Sequence, residues 1–264
     1  MSDEDNYLKH KIFDQLTIYA EFYNDLALSI MPFMAQGTRS LLNLDTSQFS
    51  SIQGTLESIR VILINKRIND AYSLLRKYYD SIIINIYTSL YLEDYFSIEN
   101  FIVKKIEDWR AGTEKLPRFS EMRKYIQESD KLSDINYLLY STDSIYQLIR
   151  DRLNNHVHYN YYKYVLLNNS DLYIPDREKI LNVFSKDLGN LFVMHFSYLF
   201  YLNEHYMIAS DYVDSLDMGL TPEENSEYFV APFIQEIFDS EIKLRRPDLA
   251  EAIKKKTKMM LKLI

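Results

Sequence analysis

The sequence predicts an all-α protein, on three observations. Only five glycines and six prolines occur among 264 residues, so helix breakers are scarce. Apolar residues recur three and four apart over long stretches. The isoleucine-rich run at 82–86, which alone would suit a strand, lies inside the clearest of those stretches.

Taken in order, a first helix is expected from Tyr7 to about Met34, with Leu8, Ile12, Leu16, Tyr19, Phe22, Tyr23, Leu26 and Ile30 at helical spacing. Pro32 and Gly37 end or kink it, and residues 38–50 read as a connection. A second helix covers about Ser51–Asn65, followed by a turn at Asn65–Arg67. The third, about Ile68–Tyr91, shows a broad apolar stripe of Ala71, Tyr72, Leu75, Tyr79, Ile82, Ile83, Ile86 and Leu90. Arg76 and Asp80 lie four apart on its flank, the spacing of an ion pair. A charged helix at Tyr95–Trp109, a loop at Ala111–Phe119 and short helices near 120–128 and 131–139 follow. Ser141–Asp143 supplies N-caps for a helix from Ser144, and an irregular Tyr/Asn-rich segment runs to Ser170. Pro175 opens a long helix to about Leu216. After Gly219–Pro222, a helix at 224–244 and a basic helix ending Lys254–Lys258 complete the chain. The simplest partition is one domain over 1–216 with a C-terminal helical appendage at 217–264 packed on it.

Composition narrows function. The net charge of −8 argues against a protein that coats duplex nucleic acid with a general basic surface, though not against a local basic site. The absence of cysteine rules out disulfide and thiolate chemistry. The start Met-Ser-Asp-Glu-Asp is unlike a signal peptide. The longest apolar runs, 81–92 and 191–202, fall short of the roughly 20 residues of a membrane span. A cytoplasmic protein without membrane contact is expected. The 23 tyrosines and 14 phenylalanines suit broad helix contacts with hydroxyls at a polar rim, within one chain or between subunits.

Chemistry concentrates in Ile149-Arg-Asp-Arg-Leu-Asn-Asn-His-Val-His-Tyr-Asn160, which holds two arginines and two of the five histidines. At 100° per residue, Ile145, Leu148, Ile149 and Leu153 form the expected buried stripe. Arg152 and His156 continue along its edge, Arg150 sits on a flank, and His158 falls near the helix end. Imidazole titrates near neutral pH, and guanidinium binds phosphate in a fork. Metal-free RNA cleavage requires such a pair: the imidazole takes the 2′-hydroxyl proton and the guanidinium stabilises the phosphorane. The plain alternative is a helix C-terminus that attracts Arg and His through its dipole, with Asn154 and Asn155 as the stop.

Arg150-Asp-Arg-Leu-Asn-Asn-His156 resembles the R-x(4–6)-H motif of HEPN domains, with Asp151 as the polar residue after the arginine. The frame Arg152–His158 has the same spacing but departs from the pattern at Leu153. The run Leu153-Asn-Asn-His-Val-His158 resembles the Leu-to-Val-His segment of some bacterial HEPN-like proteins. Ala71-Tyr-Ser-Leu-Leu-Arg-Lys-Tyr-Tyr-Asp80 resembles the "LLR…E" helix upstream of it. The resemblance implies an up-and-down helical bundle, often a homodimer whose two motifs face each other. It also implies metal-independent endoribonuclease activity on single-stranded RNA, without a cofactor, in antiviral, abortive-infection or toxin–antitoxin systems with an antitoxin or defence partner. The candidate catalytic residues are Arg150, His156, Arg152 and His158, with Asp151, Asn154 and Asn155 in support. The alternative is a non-catalytic helical module that binds a partner or senses a ligand.

Other candidates are weaker. His195 and His205 have no ligand-type partner at three or four residues and read as packing. Neither GxGxxG nor GxxxxGK[ST] is present. The Lys254–Lys258 run reads first as a solvated helix face. Tyr159, Tyr161, Tyr162 and Tyr164 read as packing, with stacking on unpaired bases as the alternative.

Overall fold

A computed structural model describes residues 7–31, 44–97, 99, 102–141, 144–168 and 177–263. It is all-helical: among the described residues the sole β-pairing is an isolated bridge between Ile208 and Val230. No described helix is long and apolar enough to cross a membrane.

Helix α1 (Ile12–Ile30) packs against α2 (Leu44–Ile64), and α2 against α3 (Ile68–Tyr95). The expected ends at Pro32 and Gly37, and residues 38–43 of the expected connection, lie outside the described residues. Residues 44–50, read as connection, are helical, because Phe49 and Ile52 carry the buried stripe of α2 backwards. The turn between α2 and α3 is a Schellman closure: Lys66 adopts φ 60°, its N–H donates to the Leu63 carbonyl and the Arg67 N–H to the Ile62 carbonyl. All eight residues of the expected α3 stripe are buried.

Three short helices follow: α4 (Lys104–Arg110), α5 (Phe119–Gln127) and α6 (Ser133–Tyr140). Helix α4 is thus much shorter than the expected 95–109, because α3 extends to Tyr95 and Phe96 turns to extended backbone. Helices α7 (Ile145–Val157) and α8 (Tyr162–Leu166) precede α9 (Arg177–Leu202), whose residues 191–201 are all buried. The expected run to Leu216 breaks at Asn203. There the chain reverses so that Ala209 N–H donates to the Phe229 carbonyl and Ala231 N–H to that of Met207, leaving α10 (Ser210–Asp217) as a separate exposed helix.

The expected helix at 224–244 begins only at Pro232. Asn225 sits at φ 66°, Ser226–Tyr228 form a single 3-10 turn, and residues 229–231 pair with the 207–209 segment instead. Helix α11 (Pro232–Ile237) continues through a π-turn at Phe238–Ile242, and α12 (Pro247–Lys256) follows. Ile234, Phe238, Ile242, Leu249 and Ile253 join the same buried cluster as α1 and α9. The C-terminal segment therefore completes the core; Arg245 lies so close over Gly189 of α9 that a Cβ there would meet its Nη1 at 2.7 Å.

A polar chain crosses this core. Asn85 Nδ2 donates to Asp45 at 2.9 Å, which turns Asn85 Oδ1 towards His195 Nε2, also at 2.9 Å. A carboxylate only accepts, so Nε2 carries the proton and Nδ1 accepts from the Tyr23 hydroxyl at 2.6 Å. Burial pushes His195 down to about 3.

Candidate functional site

Helix α7 carries the Arg/His stretch, and its buried stripe differs from the expected one. Tyr146, Ile149, Leu153 and His156 are buried at spacings of three, four and three, whereas Leu148 is 56% exposed. His156 thereby continues the core stripe and enters the protein.

Its surroundings leave no open face. The ring stacks on Tyr72 at 3.7 Å and 13°, with Tyr164 against it at 4.0 Å. Asn69 grips it at two points: Nδ2 donates to the His156 carbonyl at 3.2 Å, and Oδ1 faces ring Nδ1 at 2.9 Å. A carbonyl only accepts, so the amide orientation is fixed and Nδ1 carries the proton. Burial pushes His156 down to about 3, assisted by the charges of Arg152 and Lys163. It is a neutral imidazole, 3% exposed.

Arg152 points to the same side and donates to Asp187 of α9, itself 3% exposed. Arg150, two residues earlier, points away from it. Its Nη1 donates to Asp80 Oδ1 at 2.6 Å, and its guanidinium lies 3.5 Å from the Phe119 ring centre. Arg76 Nε donates to the same Asp80 oxygen at 3.3 Å, and Arg76 Nη1 to Asn154 Oδ1 at 2.8 Å. Two guanidinium groups thus converge on one carboxylate oxygen. Burial pushes the Asp80 carboxyl up to about 6 against the pull of Arg76, and burial lowers Arg76.

His158 caps the helix and is exposed. The turn after it is a second Schellman closure: Tyr159 takes φ 49°, its N–H donates to the His156 carbonyl, and the Asn160 N–H donates to that of Asn155. Asn155 Oδ1 accepts from Asn160 Nδ2 at 2.8 Å and so supports this turn. Asp151 accepts from Gln147 on the exposed face and does not brace Arg150.

The predicted residues therefore separate. Arg152 and His156 face α3 and α9, while Arg150 and Asn154 face the flank of α3. His158 lies about 80° around the helix from Arg150 and eight residues, about 12 Å of rise, beyond it, one turn past Asn154. The structure adds Arg76, Asp80 and Phe119 to this row. The i,i+4 pair Arg76–Asp80 was visible in the sequence; that Arg150 would meet it was not. Phe119, in a segment read as loop, gave no signal. Among the described residues no group of three or more His, Cys, Asp or Glu is arranged to hold a metal ion.

The fold and site define an all-helical protein with an arginine–carboxylate row leading to an exposed histidine. Comparisons with protein-family models, curated proteins and solved structures found no match.

Proposed function

We propose that the protein is a HEPN-like, metal-independent endoribonuclease acting on single-stranded RNA, with its reacting centre on the Arg76–Asp80–Arg150–Asn154–His158 row. One observation carries the reading: the two stretches that resemble HEPN segments, 71–80 and 150–158, pack together through Arg76–Asn154 and Asp80–Arg150. Burial favours His158 as the base, because His156 is neutral, enclosed and bound to Asn69, and Arg150 as the phosphate binder, because Arg152 is bonded to the buried Asp187. The reading thus joins the arginine of one frame to the histidine of the other, with seven residues between them instead of the motif's four to six.

In this reading a scissile phosphate takes the place of the Asp80 oxygen between Arg76 and Arg150. His158 removes the 2′-hydroxyl proton, the 2′-oxygen attacks phosphorus, and the two guanidinium groups stabilise the phosphorane. The 5′-oxygen leaves and takes a proton from solvent or an imidazolium. The products are a 2′,3′-cyclic phosphate and a 5′-hydroxyl. Exposed Val157, Tyr159, Tyr161 and Tyr162 beside His158 offer a face for a second copy bringing its own motif, or for an antitoxin or defence partner. The test is cleavage of mixed single-stranded RNA in EDTA. Wild type and His156→Phe cut, whereas His158→Ala and Arg150→Ala lose at least about a hundredfold. Full activity of His158→Ala, or none in wild type, overturns the reading.

A second reading has its own observation. Arg150, Arg152 and His156 each have a partner within the chain, as in a purely structural cluster. A non-catalytic partner-binding module would show stability losses in all three variants and no cleavage.

A further inference from the structure

The basic C-terminal helix contributes to a concave site away from the α3–α7 row. Asp134, Tyr137 and Leu138 of α6, Tyr201 of α9, and Lys255 and Lys256 of α12 surround a cavity of about 420 Å³. That volume lies in the range of small-molecule sites. Three helices distant in sequence converge here, and each brings a different chemistry.

Tyr137 presents an aromatic surface that is 70% exposed. Lys256 Nζ lies 5.2 Å from the Tyr201 ring centre, which holds its ammonium at the wall. Lys255 is exposed beside it. Lys254, by contrast, donates to the Met259 carbonyl and is committed to the tail. Asp134 Oδ2 lies 3.5 Å from the Tyr201 hydroxyl. Two ammonium groups against one carboxylate make the rim locally positive in a chain of net charge −8. A solvated helix face needs neither the concavity nor the aromatic wall.

We propose that this cavity binds a phosphorylated nucleoside, either a free nucleotide or one residue of an RNA strand. The base stacks on Tyr137, the phosphate pairs with Lys255 and Lys256, and the ribose hydroxyls donate to Asp134. The site is lined by other elements than the α3–α7 row and goes beyond the activity proposed above.

Titration calorimetry on the full chain tests it with AMP, adenosine, inorganic phosphate and a 5′-phosphorylated adenosine hexamer. AMP should bind saturably, with adenosine and phosphate each at least about tenfold weaker, since base and phosphate contacts are both required. Tyr137→Ala and Lys255→Ala should each weaken AMP by about tenfold. Both side chains are exposed, so both variants should melt like wild type. Tighter binding of the hexamer assigns the site to a strand, and tighter AMP to a free nucleotide. Binding of AMP no better than of adenosine or phosphate, or unchanged in both variants, overturns the proposal. So does loss of AMP binding in His158→Ala, which would place the nucleotide in the α3–α7 row.

Discussion

Asn69 holds His156 at both its ring nitrogen and its backbone carbonyl, at 2.9 and 3.2 Å. One amide of α3 therefore fixes the tautomer of an imidazole on α7 and also satisfies a carbonyl near that helix's end. Removing the ring leaves a cavity between Tyr72 and Tyr164 and an unpaired buried Asn69 oxygen. His156→Ala should lower unfolding free energy by about 2–4 kcal/mol. His158→Ala, at an exposed cap, should stay within about 0.5 kcal/mol. Urea denaturation of the two variants separates the histidines.

Acid should destabilise the protein through His156 and His195. Both stand near 3 in the folded chain, against about 6.5 when exposed. Above pH 6.5 neither state binds these protons. As pH falls from 6.5 towards 3 the unfolded chain takes up both, and stability drops by about 1.4 kcal/mol per pH unit for each histidine. Asp80 acts in the opposite sense: with its pKa raised to about 6, the folded chain protonates first as pH falls through 6, which partly offsets the loss. Denaturation between pH 7 and 5 should show the net decline, and His195→Gln should remove about half of the histidine contribution. A flat profile would contradict the buried neutral state of both rings.

Asp80 occupies the position proposed for a phosphate oxygen. Asp80→Asn removes the competing charge while keeping the shape. Affinity for single-stranded RNA should rise by about two- to fivefold, the size of a partly exposed ion pair released. Equal or weaker binding in an anisotropy titration would show that the two arginines are not available to an anion.

Tyr159 closes α7 in the left-handed region, where glycine is at ease and a bulky side chain is strained. Its hydroxyl accepts from Asn168 Nδ2 at 3.2 Å in an exposed setting, a modest compensation. Tyr159→Gly should stabilise the fold by about 0.5 kcal/mol, the strain relieved exceeding the added freedom of the unfolded chain. A thermal melt showing destabilisation would mean that the tyrosine ring contributes packing that outweighs the strain.

The all-helical class, the α3 stripe and the break between α4 and α5 were legible because they rest on local periodicity and on breakers such as Gly112 and Pro117. The C-terminal end of α9 and the start of the helix at Pro232 were not. Residues 203–209 and 224–231 contain enough apolar spacing to read as parts of the flanking helices, yet the chain turns there to form backbone bonds between 207–209 and 229–231. Those bonds join residues twenty and twenty-four apart, which no local window registers.

The Arg/His stretch divides the same way. The sequence by itself determined that arginine, histidine and amides would gather at one helix end, because their spacing is covalent. Only the tertiary structure decided which of them face inward. Tyr146, Ile149, Leu153 and His156 form one stripe once α7 packs on α3, and that choice was set by the partner helix and by Asn69, not by α7 alone. Arg150, Arg152 and His158 then follow from rotation about a single axis, and the carboxylates that receive the two arginines lie on α3 and α9, 70 and 35 residues away.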